Sequence, residues 1–182
     1  MHPPETRGEV SMRRSIFAIL ITVLAPWPAG AQVSSGYVYA FGGPTVVPRS
    51  AFTRWNGNFV HVGGGGEFRL TDRFALGGEA GVLKPLTNPY AVTTGLVSVT
   101  PAWHFISKRS KGRFDPFVDG GLSLLFARGG AGGAVHYGGG VNYWLRRRVG
   151  LRFEFRDHLW SPESGETVHL VDFRVGVVLG TN

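Results

Sequence analysis

The chain has 182 residues, a formal charge of +7, 28 glycines and no cysteine. Without cysteine there is no disulfide, no thiol nucleophile and no thiolate metal site. With 43% hydrophobic and 13% aromatic residues, the composition excludes a disordered chain, and the basic residues are scattered or sit in short turns rather than forming a nucleic-acid stripe.

The N-terminal segment reads as an export signal. Met12-Arg13-Arg14 is a basic n-region, Ser15–Leu24 an apolar h-region, and Ala29-Gly30-Ala31 a small-residue cleavage site. The h-region falls short of the roughly 20 apolar residues a spanning helix needs. Residues 1–31 are therefore expected to be a signal peptide and 32–182 the mature domain, starting at Gln32. Met12 is the expected start, with Met1–Ser11 an upstream extension; a genuine long n-region is the alternative.

Beyond Gln32 the apolar pattern has period 2, as in strands with alternating faces. Ser35–Pro44 carries Tyr37, Tyr39 and Phe41 on one face. Asn58–Leu70 sets Val60, Val62, Phe68 and Leu70 against His61, Gly63, Gly65, Glu67 and Arg69. After the turn Thr71-Asp72, Arg73–Leu83 sets Phe74, Leu76, Ala80 and Val82 against Gly77, Glu79 and Gly81. Ala91–Phe105 presents Val97, Val99, Trp103 and Phe105 together. Arg113–Phe126 opposes Phe114, Val118, Leu122, Leu124 and Phe126 to Asp115, Asp119 and Ser123. Gly133–Trp160 is two strands joined by a basic turn at Arg146–Arg148: Val135, Tyr137, Val141 and Tyr143 oppose Ala134, His136, Gly138, Gly140 and Asn142, then Val149, Leu151, Phe153 and Phe155 oppose Gly150, Arg152, Glu154 and Arg156. In Glu166–Gly180, Val171, Phe173, Val175, Val177 and Leu179 oppose Asp172, Arg174 and Gly176.

The pattern predicts an all-β protein of eight strands, an antiparallel up-and-down barrel. Short connections at Thr71-Asp72, Ser107–Gly112 and Arg146–Arg148 alternate with longer ones at Thr45–Gly57, Lys84–Tyr90, Ala127–Gly132 and Ser161–Gly165, as in a barrel crossing an outer membrane. Pro101 and Pro116 fall inside predicted strands and fit a closed barrel poorly.

Periodicity alone leaves two readings of the faces. In a soluble ligand-binding barrel of lipocalin type the charges face water. In a membrane barrel they fill the lumen and the apolar face meets lipid. Three features favour the second. Gly63, Gly65, Gly77, Gly81, Gly121, Gly138, Gly140, Gly150 and Gly176 all share the charged face, as a crowded interior requires. Tyr37, Tyr39, Trp103, Tyr143 and Trp160 lie near predicted strand ends, as an interfacial girdle does. The signal peptide directs export. The expected lumen network is Glu67, Arg69, Glu79, Asp115, Asp119, Arg152, Glu154, Arg156, Asp172 and Arg174, with His61, His104 and His136 as polar filler. The expected lipid-facing residues are Phe74, Val97, Val99, Leu122, Leu124, Leu151, Phe153, Phe155, Phe173, Val175 and Val177.

The stretches Gly138–Leu145 (GGGVNYWL) and Gly150–His158 (GLRFEFRDH), with the signal peptide and eight amphipathic strands, resemble the small bacterial outer-membrane β-barrels of the OmpA-like membrane-domain type. The resemblance covers essentially the whole mature chain and implies an eight-stranded barrel with both termini periplasmic. Such barrels usually end on an aromatic residue. This chain ends Leu179-Gly180-Thr181-Asn182, its last aromatic being Phe173, and keeps only the partial pattern Arg174-x-Gly176-x-x-Leu179.

No site chemistry emerges. Gly63–Gly66 and Gly138–Gly140 lack the Lys-Ser or Lys-Thr of a phosphate loop, and the histidines lack metal-ligand spacing. No cofactor is called for. An acyl-hydrolase reading of Asp157, His158 and Ser161 is weakened because His158 and Ser161 have opposite parity. An interior filled by ion pairs is expected over a narrow pore. The expected partners are outer-membrane lipid and lipopolysaccharide, with the loop Thr45–Gly57, bearing Arg49, Arg54 and Trp55, as the external contact of a monomer.

Overall fold

The computed structural model describes residues 36–48, 57–86, 92–107, 113–128, 130–146, 148–161 and 167–181. Every regular element among them is a strand: β1 (Gly36–Val47), β2 (Gly57–Arg69), β3 (Phe74–Pro85), β4 (Thr94–His104), β5 (Phe114–Ala127), β6 (Gly130–Arg146), β7 (Val149–Trp160) and β8 (Val168–Gly180). They pair antiparallel in chain order and close through β1 against β8 into an eight-stranded barrel. The signal-peptide segment and the loop residues Arg49, Arg54 and Trp55 lie outside the described residues.

Several expected strand limits move. β1 runs on past Pro44 to Val47, because Thr45 and Val46 still pair with β8. The connection expected at Ala127–Gly132 is far shorter, since Ala127 pairs with Gly130 and the β5–β6 ladder carries the hairpin out beyond its neighbours. The prolines are accommodated at breaks in the ladders. The β4–β5 pairing runs to Val99↔Leu122 and resumes at Ala102↔Asp119, so Pro101 falls in the gap. The β1–β8 pairing similarly skips Pro44 between Gly42↔Val175 and Thr45↔Asp172. Pro116 lies at the end of the β4 ladder, its carbonyl accepting from the Phe105 N–H at 3.0 Å. A missing N–H costs little where no ladder bond is due.

The interior is layered. At the long-loop end, each strand contributes at least one inward apolar side chain to a cap: Val47, Phe59, Leu83, Leu96, Leu125 and Ala134 from β1 to β6, Trp160 from β7, and Val168 with Leu170 from β8. Burying each Val or Leu stabilises by about 1.5–3 kcal/mol relative to water. Below the cap the lumen is polar. At the short-turn end Tyr37, Tyr39 and Phe41 pack with Val178 and Trp144.

The first strand corrects the expected girdle. Tyr37, Tyr39 and Phe41 point into the barrel and are at most 8% exposed. For Tyr39 and Phe41 the reason lies across the ladder: Tyr39 pairs with Gly65 and Phe41 with Gly63. A Cβ on Gly65 would sit 2.8 Å from the Tyr39 hydroxyl, and one on Gly63 2.8 Å from Phe41 Cζ. These glycines make room for inward aromatic rings, not only for arginines. Trp103 does lie on the outer wall, and Tyr143 stacks at a ring-centroid distance of 4.9 Å on the outward Phe114.

Candidate functional site

The lumen holds the densest chemistry. All ten predicted charges, Glu67, Arg69, Glu79, Asp115, Asp119, Arg152, Glu154, Arg156, Asp172 and Arg174, are buried within it. Six are carboxylates and four guanidiniums, and imidazoles stand against three of the carboxylates.

Nearest the short turns, Arg69 Nη2 meets Asp115 at 2.6 Å. His104 lies between Asp115 at 2.9 Å and Glu67 at 2.6 Å. Arg152 reaches down to the Tyr37 hydroxyl at 3.1 Å and Asn142 Oδ1 at 3.3 Å. Its guanidinium carbon lies 4.0 Å from the Phe117 ring centroid and 4.6 Å from that of Tyr39. Cation–π contacts of this kind contribute about 0.5–2 kcal/mol each.

At mid-height Glu154 accepts from three arginines: Arg152 Nε at 2.8 Å, Arg156 Nη2 at 2.7 Å and Arg174 Nη2 at 2.6 Å. Glu79 binds Arg156 at 2.8 Å and Arg174 at 2.7 Å, and accepts from the Tyr39 hydroxyl at 3.0 Å. Asp119 stands 3.4 Å from Arg156. Ions out of water need partners in good geometry, and this network provides them.

Beneath the cap, Asp172 accepts from Thr45 and meets His61 Nδ1 at 2.8 Å and His158 Nε2 at 3.4 Å. The Ser123 hydroxyl meets Ser98 at 2.8 Å, His136 at 2.8 Å and His158 at 3.1 Å. The glycines leave space here too: a Cβ on Gly121 would lie 3.0 Å from the His136 ring. Among the described residues no group of three or more His, Cys, Asp or Glu is arranged to hold a metal ion.

The outer wall is apolar. Phe74, Val97, Val99, Leu122, Leu124, Phe153, Phe155, Phe173, Val175 and Val177 are all exposed, and Leu151 shares their face, half-buried. Near the long-loop end this wall turns polar on three adjacent strands. Asp157 Oδ2 accepts from the Tyr137 hydroxyl at 3.0 Å and from His169 Nδ1 at 2.8 Å. Sequence reasoning missed this cluster; the signal was an acid and a histidine at lipid-face parity, Asp157 after Phe155 and His169 before Val171.

The hydrolase grouping is not assembled. His158 is in the lumen, 1% exposed, whereas Ser161 is exposed. His169 does lie on the outer wall, directly opposite Leu159. It leans along one diagonal to Asp157, while Ser161 occupies the other diagonal, where separations are about 7–8 Å. The Ser161 hydroxyl meets that of Thr167 at 3.3 Å.

No family model matches the chain, and no curated protein does. Solved structures do. Neisserial surface protein A superposes with a TM-score of 0.68 at 16% identity, covering 80% of this chain and 98% of that one. The N-terminal β-barrel domain of Pseudomonas aeruginosa OprF gives 0.57 at 18% identity, covering 82% and 100%. A designed transmembrane β-barrel gives 0.53 at 16% identity, covering 83% and 98%. The chain has the fold of the small eight-stranded outer-membrane β-barrels.

Proposed function

We propose that this protein is an integral outer-membrane β-barrel with a sealed lumen and a structural or interaction role, not a catalytic one. The observation that carries the reading is the inversion of its two faces: ten charged side chains are buried while Phe153, Phe155, Phe173, Val175 and Val177 stand exposed on the wall. In water such a wall is an association hazard far larger than the few hundred Å² a monomer tolerates; in a bilayer it is the solvent-matched surface. A lipocalin-like secreted barrel needs the opposite arrangement. The short turns and both termini then lie on the periplasmic side and the longer loops outside. Arg146 and Arg148, exposed at the β6–β7 turn, meet inner-leaflet headgroups. The loop Thr45–Gly57 is the proposed contact for lipopolysaccharide or an external partner of a monomeric barrel.

The sealed lumen is supported by the apolar cap contributed by all eight strands and by the arginine–carboxylate network beneath it. Ions entering would have to cross an apolar constriction and displace pairs already made. The test is fractionation followed by planar-bilayer recording. The protein is expected in the outer-membrane fraction, with heat-modifiable gel migration and without unitary currents. Recovery from the soluble periplasm without heat-modifiability overturns the location, and steady ohmic steps overturn the seal.

A further inference from the structure

The β6–β7 ladder breaks its register at the short-turn end. Trp144 pairs with Gly150 and Arg146 with Val149, so two residues of β6 answer one step on β7. This is a β-bulge, which re-aims the side chains beside it. Strict alternation would put Arg146 on the face of Asn142 and Trp144. That face looks into the barrel: Asn142 is buried, and the Trp144 ring packs with its centroid 6.2 Å from that of Tyr37. Residues directly opposite in a ladder share a face. Val149 is on the outer wall and pairs in turn with Leu179, exposed on the same wall. Arg146 therefore leaves the lumen face and stands exposed at the short-turn edge of the apolar surface.

Two more exposed arginines flank it. Arg113 lies one strand away, its carbonyl accepting from the Trp144 N–H at 2.8 Å, and Arg148 belongs to the turn, its carbonyl accepting from the Gly180 N–H at 2.8 Å. Among the described residues the one exposed acid at this end is Asp72, on the β2–β3 turn across the barrel. Just inside the arginines, Tyr143 stacks on Phe114 at a ring-centroid distance of 4.9 Å and pairs with Leu151. Aromatic rings in such a position mark a bilayer interface. The outward side chains of β7 then continue from Val149 through Leu151 to Phe153. The order in depth is guanidinium, aromatic ring, apolar wall, and a phospholipid entering from this side has the matching order of phosphate, glycerol, acyl chain. A cell-wall polymer would lie beyond the end of the barrel, whereas the bulge turns Arg146 sideways onto the wall.

We propose that the bulge builds a site for one anionic phospholipid of the inner leaflet, of the phosphatidylglycerol class. Arg146 donates to the phosphate, Arg113 and Arg148 supply flanking positive charge, and one acyl chain runs over Val149 and Leu151 towards Phe153. The planar fork of a guanidinium suits phosphate oxygens. A zwitterionic headgroup carries its own cation beside the phosphate, which three arginines without an acid among them repel. The site rests on the membrane reading above and names the headgroup met there.

The test uses the mature chain folded in detergent and offered an equimolar mixture of phosphatidylglycerol, phosphatidylethanolamine and phosphatidylcholine with identical acyl chains. Retained lipid is read by native mass spectrometry. Phosphatidylglycerol is expected to be retained at least about fivefold over either zwitterionic lipid, the increment of one arginine at an anionic surface. Arg146→Gln is expected to lower that ratio about fivefold. Arg128→Gln, the same charge change on an exposed residue at the long-loop end, is expected to keep the parental ratio. Equal retention of the three lipids by the parent, a parental ratio in Arg146→Gln, or an equal loss in Arg128→Gln overturns the site. Binding of soluble peptidoglycan fragments that Arg146→Gln abolishes overturns the lipid as its occupant. A parent chain that never acquires heat-modifiable migration overturns the membrane reading itself, which the lipid ratios do not address.

Discussion

Replacing Glu154 by leucine separates a buried lumen from a solvated face more sharply than any other single change. Three guanidiniums, from Arg152, Arg156 and Arg174, converge on this carboxylate at 2.6–2.8 Å. Leucine has similar volume, so no large cavity forms and the effect is electrostatic. Glu79 still holds Arg156 and Arg174, and Asp119 still faces Arg156. Besides the Tyr39 and Phe117 ring faces, Arg152 keeps the Tyr37 hydroxyl, Asn142 and a distant contact to Glu67 at 3.9 Å, and no close carboxylate. Removing one partner from a buried ion pair costs about 3–5 kcal/mol, because the charge left behind stays desolvated. With a urea dependence of about 1–3 kcal/mol per molar, the unfolding midpoint should fall by at least about 1 M. The assay is urea unfolding in lipid vesicles, followed by tryptophan fluorescence and by loss of the heat-modifiable band. Glu154→Gln, which keeps the shape and one acceptor oxygen, should lose less. A shift worth under about 1 kcal/mol in Glu154→Leu, the range of exposed surface pairs, would refute the buried-lumen reasoning.

Three further outcomes are expected. Val175→Lys puts a charge on the middle of the apolar wall and should cost about 2–4 kcal/mol in a bilayer, measured by the same unfolding assay; a neutral effect would mean that this wall faces water. His104→Leu removes the imidazole between Glu67 and Asp115, leaving the two carboxylates facing one another, and should destabilise by about 3 kcal/mol or more; retention of parental stability would show that the histidine is mere filler. Gly65→Leu should abolish folding, judged by the absence of a heat-modifiable band, because its side chain would enter the space of the Tyr39 ring and approach the Gly78 carbonyl at 2.6 Å; a folded variant would mean that the ring is free to leave the lumen.

Period-2 alternation made eight strands and their two faces readable, since a one-residue slip would move every side chain to the wrong face. It placed all ten charges on one face and the eleven expected wall residues on the other. Where alternation breaks, reading from sequence loses its grip. The inward cap is built from apolar residues next to apolar neighbours, as in Phe59-Val60, Val82-Leu83, Leu124-Leu125 and Leu170-Val171. Nothing local says which member turns inward, and a closed barrel is needed to see that every strand contributes to one layer. The inward turn of Tyr39 and Phe41 is likewise tied to the β1–β2 register, which sets Gly65 and Gly63 opposite their rings.

The chain by itself therefore determined strand number, strand polarity and the company that the charges keep, because these follow from residue order with a fixed two-residue period. Only the closed barrel decided which carboxylate meets which arginine, since Glu79 and Arg174 are 95 positions apart and come within 2.7 Å of each other across the lumen. It alone also brought Tyr137, Asp157 and His169 from three strands onto one patch of the outer wall. Contacts across a barrel depend on shear and twist accumulated over all eight strands, which no local stretch of sequence records.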